Sequence, residues 1–118
     1  MAKDLVKQMN MICGDTIKMA TSNIKRFTFG ENNLYYDFNV HTYTRPGSQP
    51  ISTIMLVGTN LVIESSTLQP YIPELVDFLA TLCIEYNANY DSFHNDIEPY
   101  ADEIADAVAE EVRRRRGQ

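Results

Sequence analysis

The residues best suited to chemistry lie close together between Asp91 and Glu98. Asp91 and His94 stand three residues apart and can share one face of a helix, with Asp96 and Glu98 close by. Carboxylate oxygens and an imidazole can bind a divalent metal ion. Their spacing matches no established metal motif, however, and Asp91 as the N-cap of a turn that contains His94 explains the same residues. The sequence therefore predicts no metal site and no cofactor, and a small metal-dependent hydrolase is only the third functional hypothesis.

Nucleophilic catalysis has no support in the sequence either. No serine, cysteine or lysine stands in a nucleophile motif, and the two histidines, His41 and His94, are the only imidazoles that could act as a base near neutral pH. Carboxylates are abundant, but a glycosidase needs two of them at a fixed separation in space. We therefore expect a protein that is not an enzyme.

Charge is distributed unevenly along the 118 residues. Residues 1–45 hold six Lys or Arg and four Asp or Glu, residues 46–112 hold twelve acidic residues and no basic ones, and Arg113–Arg116 adds four positive charges. So much negative charge repels nucleic acid and anionic lipid and attracts basic protein surfaces. We expect a protein partner with a basic surface, the alternative being that the acids only solvate helix faces. The arginine run would bind nucleic acid weakly at most.

Two sets of residues are candidates for binding that partner. The first is acidic and lies in the C-terminal third, where its last four members are spaced to share an exposed helix face. Such a face could imitate a phosphate backbone, as in small acidic inhibitors encoded by phages. The second set is aromatic and points outward from a predicted strand. The acidic set is Asp91, Asp96, Glu98, Asp102, Glu103, Asp106 and Glu110, and the aromatic set is Tyr35, His41 and Tyr43.

The spacing of apolar residues predicts the elements that position these candidates. From Lys3 to Ile24 apolar residues recur every three or four positions, which predicts an amphipathic helix. Phe27–Phe29 is a short strand candidate. From Leu34 to Thr44 apolar and polar residues alternate, which predicts a half-buried strand with Tyr36 and Phe38 pointing inward.

The most apolar stretch, residues 51–66, predicts a hairpin at the centre of the sheet. Its β-branched residues favour strands, and Gly58, Thr59 and Asn60 suit a short turn. The first of its two strands has neighbouring apolar residues, so we expect an inner strand or one that is covered on both faces. Residues 45–50 contain two prolines and a glycine, which predicts a loop before this hairpin.

A helix that lies across the sheet is expected next. Pro73 suits the first turn of a helix, and Asn87 and Asn89 are residues at which a helix commonly ends. Phe78 and Ile84 fall outside its main apolar stripe. This predicts contact on a second side with the N-terminal helix, the last helix or a second subunit.

The last helix is predicted from Pro99 to about Arg115. Acids in its first turns and arginines at its end both suit the helix dipole. Glu110 and Glu111 are spaced to pair with Arg114 and Arg115. The arginine run therefore has a structural explanation.

Together these elements predict a single α+β domain over residues 1–118. Its order is an N-terminal helix, an antiparallel meander of three to four strands, a packed helix and an acidic C-terminal helix. Cys13 and Cys83 fall on apolar helical positions, which predicts reduced core residues. No leader opens the chain and no apolar run approaches the roughly 20 residues that cross a bilayer. We therefore expect a soluble, cytoplasmic protein without a membrane anchor.

The first functional hypothesis is a protein-binding module of inhibitor, adaptor or chaperone type, of phage or mobile-element origin. It would present its acidic C-terminal third to a basic partner, and its binding would weaken with salt. The alternative is a self-assembling structural subunit, for example a virion component. Such a homo-oligomer would form through the face of Tyr35, His41 and Tyr43 or the spare side of the helix that crosses the sheet, and would bury a large apolar interface.

Overall fold

A four-stranded sheet in the order β1-β2-β3-β4 forms one layer of the protein. The computed structural model describes residues 19–60 and 62–117. The strands are β1 (Met19–Phe29), β2 (Leu34–Thr44), β3 (Ile51–Thr59) and β4 (Ala88–Asn89). The helices are α1 (Ser65–Leu68), α2 (Ile72–Tyr86) and α3 (Ala101–Arg116), with a short 3-10 helix at Gln69–Tyr71 between the first two.

The predicted α+β class is confirmed, but the sheet is mixed rather than purely antiparallel. The first three strands form an antiparallel meander, whereas β4 runs parallel to β3. The reason lies in the connection, because α2 carries the chain back across the sheet before β4 begins, and such a crossover makes the next strand parallel.

The predicted N-terminal helix is wrong from Met19 onward. Residues 19–24 form the first half of β1, with Met19 opposite Thr44 and Ile24 opposite Asn39. The rest of that prediction, residues 3–18, lies outside the described residues. Ala20 and Ile24 are four positions apart, a spacing that places two residues on the same face of a strand as well as of a helix. Ile24 is 59% exposed, so its apolar character does not mark a buried helix face.

The predicted central hairpin is half right. β3 forms as expected, but residues 62–64 are irregular and the chain then turns into α1 at Ser65. Val62 is 97% exposed, and the amides of Thr67 and Leu68 donate to the carbonyl of Glu64, which closes the first helical turn. The predicted turn at residues 58–60 is also replaced, because β3 continues through Thr59. Hydroxyl-rich sequence after an apolar run starts a helix here rather than a second strand.

A bulge explains why β3 does not alternate cleanly. The pairing with β2 shifts by one residue between Asp37 and Phe38, which leaves Val57 outside the regular register. Val57 is exposed, while Ile54 is buried. β3 does lie between two strands, as expected, but β4 pairs only with Ser52 and Thr53.

The core lies between the sheet and α2 and α3. The predicted alternation of β2 is confirmed, because Tyr36, Phe38 and Val40 are buried on the face that the helices cover. The other large buried side chains come from the two flanking strands, from α1 to α3 and from the segment between β4 and α3: Phe27, Phe29, Ile54, Leu68, Leu75, Leu79, Leu82, Tyr90, Ile97, Ile104 and Val108.

The two long helices agree closely with their predictions. α2 has Pro73 in its first turn and ends at Asn87, whose left-handed backbone (φ 50°) lets its amide donate to the carbonyls of Cys83 and Ile84. Cys83 is a buried free thiol, as expected, and Cys13 lies outside the described residues. α2 and α3 pack against each other, so the last helix covers part of α2. The two residues behind that prediction behave differently, because Phe78 packs against Phe27 and Phe38 of the sheet and Ile84 is 40% exposed. Between residues 19 and 117, Leu61 apart, no helix is long and apolar enough to cross a membrane.

Candidate functional site

The loop between β4 and α3 is organised by Asp91. Its Oδ1 atom accepts a hydrogen bond from the His94 amide at 3.0 Å and lies 3.2 Å from His94 Nδ1. This is the capping interaction that the spacing of the two residues suggested, formed at a turn rather than at a longer helix. Within residues 19–60 and 62–117, no three His, Cys, Asp or Glu side chains are arranged to hold a metal ion.

Asn95 fixes the same loop to the sheet, a role that the sequence did not reveal. Its side chain is completely buried, and its Nδ2 group donates to the carbonyl of Ile54 at 2.6 Å and to that of Asp91 at 3.0 Å. A buried polar side chain is tolerated when it is hydrogen-bonded. This amide group therefore helps to fix the loop over β3, together with the buried side chains of Tyr90 and Ile97. An asparagine in a polar loop carries no sequence signal for burial.

Three of the predicted acidic residues lie together at the start of α3. A hydrogen bond between the carboxyl groups of Glu98 and Asp96 raises the pKa of Glu98, and the charges of Asp96 and Asp102 raise it further. This is the behaviour of carboxylates close enough to repel each other. The structure thus brings Asp96, Glu98 and Asp102 into one acidic cluster, while Asp91 is engaged with His94.

The pH dependence of this cluster can be measured with Glu98→Gln. Because the pKa of Glu98 is raised by folding, deprotonation destabilises the folded state as the pH rises through the folded pKa. The variant should therefore melt at a slightly higher temperature than the wild type at neutral pH. This gain should disappear near pH 4, which is about the ordinary pKa of a glutamate. Thermal melts followed by circular dichroism at several pH values check the sign, and an equal gain at every pH would contradict it.

The acidic candidates within α3 itself lie along its exposed surface. Asp102, Glu103, Asp106 and Glu110 are all exposed. In the described part of the chain none of the four has an ion-pair partner. The predicted acidic face of α3 is therefore exposed, and no basic side chain in the described part of the chain neutralises it.

Arg115 connects the end of α3 to the middle of α2. Its guanidinium group bonds Asp77 Oδ1 at 2.5 Å, Thr81 Oγ1 at 3.0 Å and Glu111 Oε2 at 2.8 Å. The predicted pair of Glu111 with Arg115 is confirmed. Arg114 also bonds Glu111, rather than Glu110 as predicted. These pairs therefore stabilise α3, as predicted, and also hold α3 against α2.

A groove of about 790 Å³ runs between β1 and α2. Its apolar lining consists of Phe27 and Leu82, both buried, and the half-buried Phe78, and Glu74 and Glu85 stand exposed along α2 beside it. Asp77 also lines it but is paired with Arg115. Sequence reasoning missed this groove because it is formed by two elements that are about 50 residues apart in the chain.

The aromatic candidates lie on the face of the sheet that points away from α2 and α3. The guanidinium carbon of Arg26 lies 3.6 Å from the centroid of the Tyr35 ring. The same group bonds both carboxylate oxygens of Asp37, at 2.8 and 3.0 Å, which lowers the pKa of that carboxyl. The ring of His41 lies 5.8 Å from that of Tyr43. Tyr35 is therefore held by a neighbouring strand, and His41 and Tyr43 form a separate pair.

Comparison with known proteins gives no relative from which to transfer a function. No family model, no curated protein and no solved structure matches this chain.

Proposed function

We propose that this protein is a non-enzymatic binding module for a basic, partly apolar segment of another protein. The observation that supports this proposal is the groove between β1 and α2, which combines an apolar lining with acidic residues along one side. Such a combination suits an amphipathic segment, because apolar side chains provide the contact area and opposite charges orient the partner.

The dimensions of the groove indicate how long the bound segment would be. Glu74 and Glu85 stand eleven positions apart on α2, which corresponds to about 16 Å at roughly 1.5 Å per residue. Three turns of a helix, or about five residues of an extended chain, span that length. Arg115 pairs with Asp77 and Lys25 lies close to Glu85, so Glu74 and Glu85 provide the remaining negative charge along this side.

The acidic face of α3 would act at longer range. Asp102, Glu103, Asp106 and Glu110 are exposed and uncompensated by the residues described, so they add to the negative potential around the protein. Charges outside a contact surface mainly raise the rate of association with an oppositely charged partner. In this proposal the groove determines affinity and α3 determines the rate of encounter.

Charge reversal separates these two roles. The probe is a fluorescent amphipathic helical peptide with Lys on one face and Leu on the other. The same peptide with Glu in place of Lys is the opposite-charge control. The double variant Glu74→Lys, Glu85→Lys should weaken binding of the basic peptide by about tenfold or more, because two favourable contacts become repulsive. The double variant Asp102→Lys, Asp106→Lys changes the net charge equally but should weaken binding only about threefold, mainly through the association rate.

Fluorescence anisotropy and stopped-flow kinetics at low and high salt provide both measurements. Equal losses from the two double variants would contradict the assignment of affinity to the groove. Equal binding of the basic and acidic peptides would contradict the function itself.

A self-assembling subunit is the second candidate, and the open face of the sheet favours it. Ile51 lies opposite Tyr43, and Ile24 lies opposite Asn39 on the same face. Both isoleucines are exposed, and in the portion of the chain that is described no helix packs over them. Exposed apolar residues grouped on one face are typical of an interface between copies. Light scattering coupled to size exclusion would support this candidate if a defined oligomer persists at high salt and is lost in Ile24→Lys.

A further inference from the structure

A second cavity lies at the opposite end of α2 from Pro73, between β4 and the last turns of α3. Its volume is about 450 Å³, within the range of small-molecule sites. Ala88, Val108 and Val112 give it an apolar wall, and Arg113 and Arg116 supply polar groups. None of these residues lines the groove between β1 and α2, so the two places can be tested independently.

The hydroxyl of Tyr90 is a buried donor without an acceptor. Tyr90 is only 7% exposed, and its hydroxyl oxygen has no hydrogen-bond partner among the residues that the structure describes. Burial raises the pKa of Tyr90, so the hydroxyl keeps its proton at neutral pH. A buried polar group normally has a partner, and leaving it unpaired costs about 1–3 kcal/mol. The oxygen atom has almost no accessible surface, so this hydroxyl lies behind the cavity wall and a ligand in the cavity does not reach it.

The positive charge beside the cavity is not neutralised. Arg114 and Arg115 are paired with Glu111 and Asp77. Arg116 instead bonds neutral acceptors, the side chain of Asn87 at 3.1 Å and the carbonyl of Cys83 at 3.5 Å.

Arg113 is exposed, and its side chain has neither an ion pair nor a hydrogen bond to the residues described. The C-terminus of α3 contributes about half a negative charge, which is less than the two full charges of Arg113 and Arg116. The mouth of the cavity is therefore net positive.

We propose that this cavity binds a small organic monocarboxylate with an apolar chain. The carboxylate would pair with Arg113 and Arg116, and the chain would lie against Val108 and Val112. Guanidinium groups suit carboxylates because they offer several donors in one plane. The apolar wall distinguishes this ligand from an inorganic anion, which would leave the wall without contacts.

Calorimetric titration of the full chain tests the proposal with four probes. Octanoate is the expected ligand, octan-1-ol and octylammonium carry the same chain without the negative charge, and inorganic phosphate carries negative charge without the chain. Octanoate should bind about tenfold or more tightly than each of the other three, because only octanoate satisfies both parts of the cavity. Equal binding of octan-1-ol would overturn the role of the arginines, and equal binding of phosphate would overturn the role of the apolar wall. Absence of octanoate binding would mean that the cavity holds only water.

Three variants locate the site. Arg113→Gln should weaken octanoate binding by about tenfold, whereas Arg114→Gln, which removes the same charge from a paired residue, should change it less than about twofold. Tyr90→Phe should change octanoate binding less than about twofold, because its hydroxyl does not reach the ligand, and should make the unliganded protein at least as stable as the wild type, because an unpaired buried hydroxyl is removed. A loss in Arg114→Gln as large as in Arg113→Gln would overturn the assignment, as would a tenfold loss in Tyr90→Phe.

Discussion

Replacing Phe38 with alanine should lower the free energy of unfolding by about 3–5 kcal/mol. Phe38 is fully buried at the centre of β2, and its ring lies 6.1 to 6.4 Å from the rings of Tyr36, Phe78 and Tyr90. It is therefore the point at which the sheet, α2 and the segment after β4 meet. The loss combines the transfer of a large apolar group with the cavity that the surrounding rings cannot fill.

Phe93 provides a matched control for this substitution. It lies in the loop before α3 and is 87% exposed, so Phe93→Ala should change the free energy of unfolding by less than about 0.5 kcal/mol. Urea titrations followed by circular dichroism give both values. Equal losses of stability in Phe38→Ala and Phe93→Ala would contradict the orientation of β2, in which Phe38 points into the core. A loss below about 1 kcal/mol in Phe38→Ala would contradict the arrangement of the core.

The burial of Phe38 was predictable because alternation is a local property. From Leu34 to Val40 every second residue of β2 is apolar, and one buried face is enough to produce that pattern. α2 was predictable for the same reason, since its stripe, Pro73 and Asn87 all lie within one segment.

β1 could not be predicted in full because its first half is exposed and its few apolar residues follow a spacing that also suits a helix. Residues 20–24 are all exposed, so they carry no alternation. Their extended conformation is determined by pairing with β2, a tertiary contact that the local sequence does not encode. The bulge at Val57 is another such case, because it depends on the register between two strands.

The candidate sites show the same limit. The acidic residues of α3 were identifiable from composition, but the convergence of Asp96, Glu98 and Asp102 depends on how the loop enters the helix. The partners of the arginines within α3 follow from helical spacing, whereas the bond between Arg115 and Asp77 requires two helices to be packed together. The apolar groove and the cavity at Tyr90 are likewise products of packing.

Replacing Asn95 with aspartate should cost about 3–5 kcal/mol at neutral pH, because it leaves an uncompensated charge in the interior. The Nδ2 group of Asn95 donates to the carbonyls of Ile54 and Asp91, and the introduced carboxylate would place negative charge against both oxygen atoms. Within the described residues, the Oδ1 atom of Asn95 already has no partner, so the new carboxylate inherits no donor. The loop that carries Asp91 and Asp96 should then separate from β3.

This loss should depend on pH in a defined direction. A protonated carboxyl can donate to one of the two carbonyls, so its folded-state pKa lies above the ordinary aspartate value of about 4. The loss of stability relative to the wild type should therefore shrink as the pH falls below the folded pKa, and part of it should be recovered near pH 4. Between the unfolded-state and folded-state pKa values, each pH unit changes the difference in the free energy of unfolding by about 1.4 kcal/mol.

Two further variants separate the lost hydrogen bonds from the buried charge. Asn95→Leu removes both bonds without adding charge and should cost about 1–3 kcal/mol at every pH. Asn32→Asp adds the same charge at an exposed turn and should be nearly neutral. Urea titrations between pH 4 and pH 7 measure all three. One outcome would contradict this: the loss of stability in Asn95→Asp stays constant over that pH range and Asn95→Leu loses as much. The amide would then act only through its hydrogen bonds, and the side chain would be more hydrated than its burial indicates. If the loss of stability falls with pH as expected, Asn95 holds the acidic loop in place from inside a dry core.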